Sequence, residues 1–223
     1  MSKRILIALT SHATLGSTGR ATGFYVGEAA VPWELLTAAG HQVDLVSVAG
    51  GVPPRDGEDP ADPTQRRFLT DPRVAGQLAD TPTPGQITPE DYDAILFAGG
   101  HGTMWDFPDN PGLARLARTI YERGGFVAAV CHGSAALVGL TLSDGSYLVA
   151  GKKVASFTNA EEAAVGLTDV VPFLLADRLE AQGATHIPAD DFTAHVITDG
   201  RLITGQNPAS ARGVATALIT ALG

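Results

Sequence analysis

Short β-branched runs alternate along this chain with longer stretches of helical periodicity. RILIALT (Arg4–Thr10) is apolar at nearly every position and reads as a strand buried on both faces. GEAAVPWELLTAAG follows as a helix that stops at Gly40, a glycine placed as a helix-ending residue. HQVDLVSVAG is a second strand by its alternation, and DAILFAGG is a third. NPGLARLARTIYERGG is a helix with Pro111 early and Gly124 and Gly125 as its stop. GFVAAV is a fourth strand and KKVASFT a candidate fifth. TAHVITDGRLITG reads as a hairpin around Asp199-Gly200, and SARGVATALITALG as an amphipathic helix. Strand–helix alternation with apolar strands predicts an α/β fold: a doubly wound, mostly parallel sheet with helices on both faces. One stretch breaks the rhythm. From about 50 to 89 the chain is rich in Pro, Asp and Gly, which predicts a small, partly helical cap or lid insertion in a single domain. Phe68, Leu69, Val74 and Leu78 give that insertion something to bury.

Composition narrows the function. With 223 residues, 44% hydrophobic and 17% charged, the chain can bury a sizeable core. A net charge of −9, with no run of Lys or Arg, argues against a general nucleic-acid or membrane-surface binder. The apolar stretch Ile5 to Leu9 is too short for a signal-peptide core, and no run approaches transmembrane length. One cysteine forms no internal disulfide, so a cytoplasmic protein is expected.

That cysteine lies in AAVCHGSAAL, between an apolar strand and small residues able to start a helix. Cys131 is either a nucleophile on a sharp strand-to-helix turn or an inert buried thiol. On the first reading it projects beyond the carboxyl ends of the strands, where ligands bind in such sheets, and a helix N-terminus favours its thiolate. In AGGHGTMWDF, Gly99 and Gly100 end the third strand, and their amides, with that of His132, suit an oxyanion hole; an ordinary turn is the plainer alternative. Glu28 is a carboxylate in an apolar helical stretch, either core-facing or an exposed helix-start residue. His101 is expected in the pocket or its turn and Trp105 at the pocket rim. No H-x₃-H or CxxC spacing supports a metal, and none is expected. SHATLGSTG lacks phosphate-loop order and is expected to border the site's mouth.

Taken together, AAVCHG, AGGHG, the Glu28 helix, SFTNAEEAAVGLTDVVPFLL and VITDGRLITGQNPASA resemble the ThiJ/PfpI superfamily. Within it, the chain resembles the subgroup of stress-inducible chaperones and glyoxalase III-type enzymes. The resemblance covers nearly the whole chain and is weakest from about 54 to 89. It implies a flavodoxin-like, class I glutamine amidotransferase-like fold. It further implies Cys131 as nucleophile, His132 beside it, Glu28 facing the sulfur, and a third acid in SFTNAEEAAVG, where Glu162 aligns better than Glu161. Ser134 stands where such relatives often have Pro. No H-x-E pattern near the C-terminus supports a glutamine amidotransferase, and His186 and His195 lack the right neighbours.

The implied activity is cofactor-independent conversion of methylglyoxal or glyoxal to a hydroxy acid, D-lactate or glycolate. The residues make chemical sense of it: a thiolate adds to an aldehyde, amides hold the oxyanion, and Glu28 or His132 moves a proton through an enediol. Cys131 and Glu28 in contact are expected to share a proton, with the carboxyl pKa raised. Alternatives are a holdase for misfolded proteins, a Cys-His-acid peptidase or amidase, an oxidation sensor, and repair of glycated protein or nucleotide. The resemblance also implies a homodimer.

Overall fold

The computed structural model describes residues 1–223. In chain order the main elements are β1 (Arg4–Leu9), α1 (Val26–Ala38), β2 (Gln42–Ser47), α2 (Pro63–Thr70), α3 (Pro72–Ala79), β3 (Ala94–Phe97), α4 (Pro111–Glu122), β4 (Phe126–Val130), α5 (Asn159–Ala164), α6 (Leu175–Ala181), β5 (Val196–Asp199), β6 (Leu202–Gly205) and α7 (Ala211–Leu222). The six strands form one sheet in the order β2-β1-β3-β4-β6-β5. Every neighbouring pair is parallel except the β5–β6 hairpin, which puts an antiparallel strand on one edge. The first five of these strands follow the flavodoxin-like order, with the switch between β1 and β3.

Period-2 alternation sorts β1 between two cores. Ile5, Ile7 and Leu9 pack on one face with Leu36 of α1 and Val214 and Leu218 of α7. Leu6 and Ala8 pack on the other with Leu113, Leu116 and Ile120 of α4 and Leu179 of α6. Both faces are therefore covered, as apolar parallel strands require. Local chemistry sets the helix ends: Asn110 accepts hydrogen bonds from the amides of Gly112 and Leu113, with Pro111 as the first helical residue of α4. Gly40, at φ +86°, ends α1.

The segment 50–89 carries α2 and α3, each starting at a proline behind a capping aspartate, Asp62 and Asp71. Phe68, Val74 and Leu78 join the same core as Leu36, Val43 and Leu45, and Leu69 packs against it half-buried. Gln77 accepts the Leu45 amide at 2.8 Å on edge strand β2. One edge of the sheet is covered in this way. KKVASFT, expected as a possible fifth strand, does not join the main sheet. Lys153–Val154 pairs in parallel with Thr185–His186 as a separate two-stranded ribbon. The neighbouring amides of Lys153 and Ala155 are taken by side chains, Asp199 Oδ2 and Thr204 Oγ1, rather than by a strand backbone. No helix is long and apolar enough to cross a membrane.

Candidate active site

Strand β4 ends at Val130 in extended backbone, and the next residue, Cys131, turns to φ +58°. That region strains any residue with a Cβ, and such strain persists only where the surroundings enforce it. A seven-residue 3₁₀ segment, Cys131–Leu137, follows, so the turn ends at the carboxyl edge of the sheet. Gly133 fits there because a Cβ on it would lie 2.3 Å from the Phe97 carbonyl oxygen.

Glu28 is in the first turn of α1 yet fully buried, so the exposed helix-start alternative does not hold. One oxygen, Oε2, accepts the Gly99 amide at 2.8 Å. The Cys131 thiol interacts with the carboxyl, whose Oε1 has no hydrogen-bond partner. Burial pushes the Glu28 pKa up to about 8, against the lowering effects of the thiol and the Gly99 amide. The Cys131 pKa also rises, first through burial and then through the charge of Glu28. This corrects the expectation of a resting thiolate favoured by a helix N-terminus: the short 3₁₀ turn does not outweigh desolvation.

On the other side of the sulfur, His132 Nδ1 lies 3.4 Å from Sγ. Its Nε2 is 2.7 Å from Glu162 Oε2, and His101 Nε2 is 3.0 Å from Glu162 Oε1. Burial, followed by the neighbouring His101, lowers the His132 pKa to about 4. Burial works to raise the Glu162 pKa, but hydrogen bonds from His101 and His132 bring it down to about 2. At neutral pH an ionised Glu162 thus accepts Nε2–H from a neutral His132, leaving the Nδ1 lone pair toward the sulfur. That arrangement can take a proton from the thiol or from a water.

Of the two adjacent acids, Glu161 faces elsewhere. It closes a capping box with Thr158, and its Oε1 accepts from the Phe192 amide at 2.8 Å, Asn207 Nδ2 at 2.8 Å and Gln206 Nε2 at 3.1 Å. Glu162 alone reaches the histidines.

Two further expectations are corrected. Gly99 does not offer its amide to an oxyanion, because Glu28 already accepts it; a Cβ there would lie 2.4 Å from Glu28 Oε2. Gly100 lines the pocket and its amide makes no hydrogen bond within the protein, so it is a candidate donor beside the His132 amide, which interacts with the Cys131 sulfur. Trp105 does not line the pocket. A one-turn helix, Thr103–Asp106, turns its indole against His12, stacked at 5.0 Å. His101 does line the pocket. His101, His132 and Glu162 also place three donor atoms within 4.8 Å of one another, an arrangement able to hold a metal ion, assembled from three separate segments that sequence spacing does not reveal. Here the donor atoms are engaged with one another by hydrogen bonds.

The pocket has a volume of about 370 Å³. Sequence reasoning missed several of its walls: Tyr25 just before α1, Asp56 from the 50–89 segment, Phe157 and Phe192. Leu15, from the loop expected at its mouth, lines it as well, as does Arg20 just after that loop. The Phe157 ring lies 4.3 Å from that of His132.

Residues 21–221 match the DJ-1/PfpI family. "Glyoxalase 3" of Candida albicans is 36% identical, covering 98% of this chain and 98% of that protein. "Glutathione-independent glyoxalase HSP31" of Saccharomyces cerevisiae is 35% identical, covering 99% and 98%. Among solved structures, glyoxalase III from Candida albicans superposes with a TM-score of 0.91 at 32% identity, covering 98% of this chain and 97% of that one. Rapid Encystment Protein 24 kDa of Francisella tularensis gives 0.96 at 37% identity, with 99% of each chain covered. The match spans most of the chain and agrees with the resemblance carried by AAVCHG and AGGHG: the chain belongs to the DJ-1/PfpI family, close to fungal glutathione-independent glyoxalases.

Proposed function

We propose that this protein is a glutathione-independent glyoxalase that converts methylglyoxal to D-lactate, and glyoxal to glycolate, through a hemithioacetal on Cys131. The observation that carries the reading is the strained Cys131 between a buried carboxyl of raised pKa and the His132–Glu162 pair. Full-length similarity to the two fungal glyoxalases supports it.

The active form holds one proton on the Cys131–Glu28 pair. Sγ adds to the aldehyde carbon while that proton passes to the carbonyl oxygen, which the Gly100 and His132 amides hold. Glu28 is left as a carboxylate beside the C–H bond of the former aldehyde carbon. It takes that hydrogen as a proton, giving an enediolate; the hydroxyl proton shifts to the neighbouring oxygen and Glu28 returns its proton to the adjacent carbon, giving a thioester of the hydroxy acid. His132 Nδ1 then accepts a proton from water as it attacks the thioester, and passes that proton to the leaving sulfur. Water is the only other reactant, and no electrons enter or leave.

The test is D-lactate formation from methylglyoxal by purified protein without glutathione. Steady turnover that added glutathione does not raise is expected. No lactate, or lactate only with glutathione present, overturns the reading.

A further inference from the structure

We propose that this site is built for 2-oxoaldehydes carrying an apolar group larger than methyl, aryl groups included, which lies along Phe157 and Phe192. The proposal rests on the glyoxalase reading and names its substrate class. Three observations carry it.

The first is size. Methylglyoxal, with five non-hydrogen atoms, fills roughly three water volumes, about 90 Å³. The pocket at Cys131 offers about 370 Å³. A three-carbon substrate leaves most of that space to water. The second is the wall. From the reacting centre outward the rings run His132, Phe157, Phe192, with centroid separations of 4.3 and 6.3 Å. Leu15, Val165 and Leu167 complete an apolar side. Arg20 and Asp56, of opposite charge, also line the pocket.

The third is the posture of Phe192. Phe192 is 48% exposed and Val165 is 41% exposed, while the neighbouring Phe157 is buried. An aromatic residue has no intrinsic reason to adopt φ +58°, yet Phe192 does. Its amide is fixed at 2.8 Å by Glu161, a buried carboxylate that also accepts Gln206 and Asn207. A strained backbone enforced by a buried anchor is typical of ligand clamps. Here it presents to the pocket a ring that gains little burial in the free protein. An apolar substituent on the substrate would cover it. Addition at Cys131 and hydrogen transfer by Glu28 then run as for methylglyoxal: phenylglyoxal plus water gives mandelate, with no oxidant or reductant.

The experiment compares initial-rate kcat/KM for phenylglyoxal and methylglyoxal in the wild-type protein, in Phe192→Gly and in Val165→Ser. Glycine adopts φ +58° without strain, so the first variant removes the ring while keeping the backbone. The second tests the wall on a different element. The expected result is a wild-type ratio favouring phenylglyoxal by about tenfold or more, falling by about tenfold in Phe192→Gly and more modestly in Val165→Ser, within the range that apolar contacts discriminate. Turnover of methylglyoxal with phenylglyoxal no better, or a preference unchanged in both variants, overturns the inference and leaves the glyoxalase reading standing. Turnover of neither aldehyde overturns both.

Discussion

Replacing Glu28 by Gln tests the electrostatics of the site without touching its chemistry in the assay. Glu28 is fully buried, and its pKa rises from 4.5 to about 8 on folding. The folded protein therefore binds more protons than the unfolded chain between those values, and stability falls as pH rises through that window. His132 acts in the opposite sense: its pKa drops from 6.5 to about 4, so stability rises with pH between 4 and 6.5. The two nearly offset below pH 6.5. Above it Glu28 acts almost alone, and integrating from pH 6.5 to 8 gives a loss on the order of 1–2 kcal/mol. Gln keeps an acceptor for the Gly99 amide and has no charge to desolvate. Urea unfolding followed by the fluorescence of Trp33 and Trp105, at pH 6.5 and pH 8, measures the difference. The wild type should lose on the order of 1–2 kcal/mol, and Glu28→Gln should stay level or gain slightly from the tail of the His132 titration. An equal decline in both proteins, or a flat wild type, refutes the account of the Cys131–Glu28 pair.

Three further outcomes are expected. The wild-type kcat/KM should climb with pH toward about 8 as the pair loses a proton, and should be lost at low pH as His132 protonates near 4; a profile flat between pH 6.5 and 8 counts against a catalytic Glu28. Glu162→Gln should lower kcat by about a hundredfold or more by releasing the tautomer of His132, whereas an unchanged kcat removes Glu162 from the proposed set. Gly99→Ala should destabilise the fold by about 1–3 kcal/mol in urea unfolding and shift the pH dependence of Cys131 alkylation, because its Cβ would lie 2.4 Å from Glu28 Oε2 and 2.7 Å from the Val130 carbonyl oxygen.

Much of this architecture is legible in the sequence, for physical reasons. RILIALT and FVAAV have no polar interruption, so both faces had to be covered, and Asp199-Gly200 between apolar runs leaves little choice but a hairpin. Lys153–Val154 misled because a two-residue ribbon and a sheet strand share the same β-branched signal, and only tertiary partners separate them. Gly99 and Gly100 are adjacent, and no pattern tells which amide Glu28 takes. Trp105 is displaced by a single helical turn that no periodicity window resolves.

The ambiguity between Glu161 and Glu162 had a local answer. Thr158-x-x-Glu161 is a capping box, which assigns Glu161 to the helix start and leaves Glu162, about 100° further round, for His132. The role of Phe192 was not readable at all. Its left-handed backbone comes from a hydrogen bond across 31 residues, and nothing in DDFTAH announces it.

The central claim is that Cys131 is the nucleophile, and glutathione-free D-lactate formation by Cys131→Ala, shown folded by its urea transition, tests it most directly. The account predicts a loss of more than about a thousandfold relative to wild type, since no other group in the site forms the covalent adduct. A Cys131→Ala protein that still makes D-lactate within about threefold of the wild-type rate would contradict it.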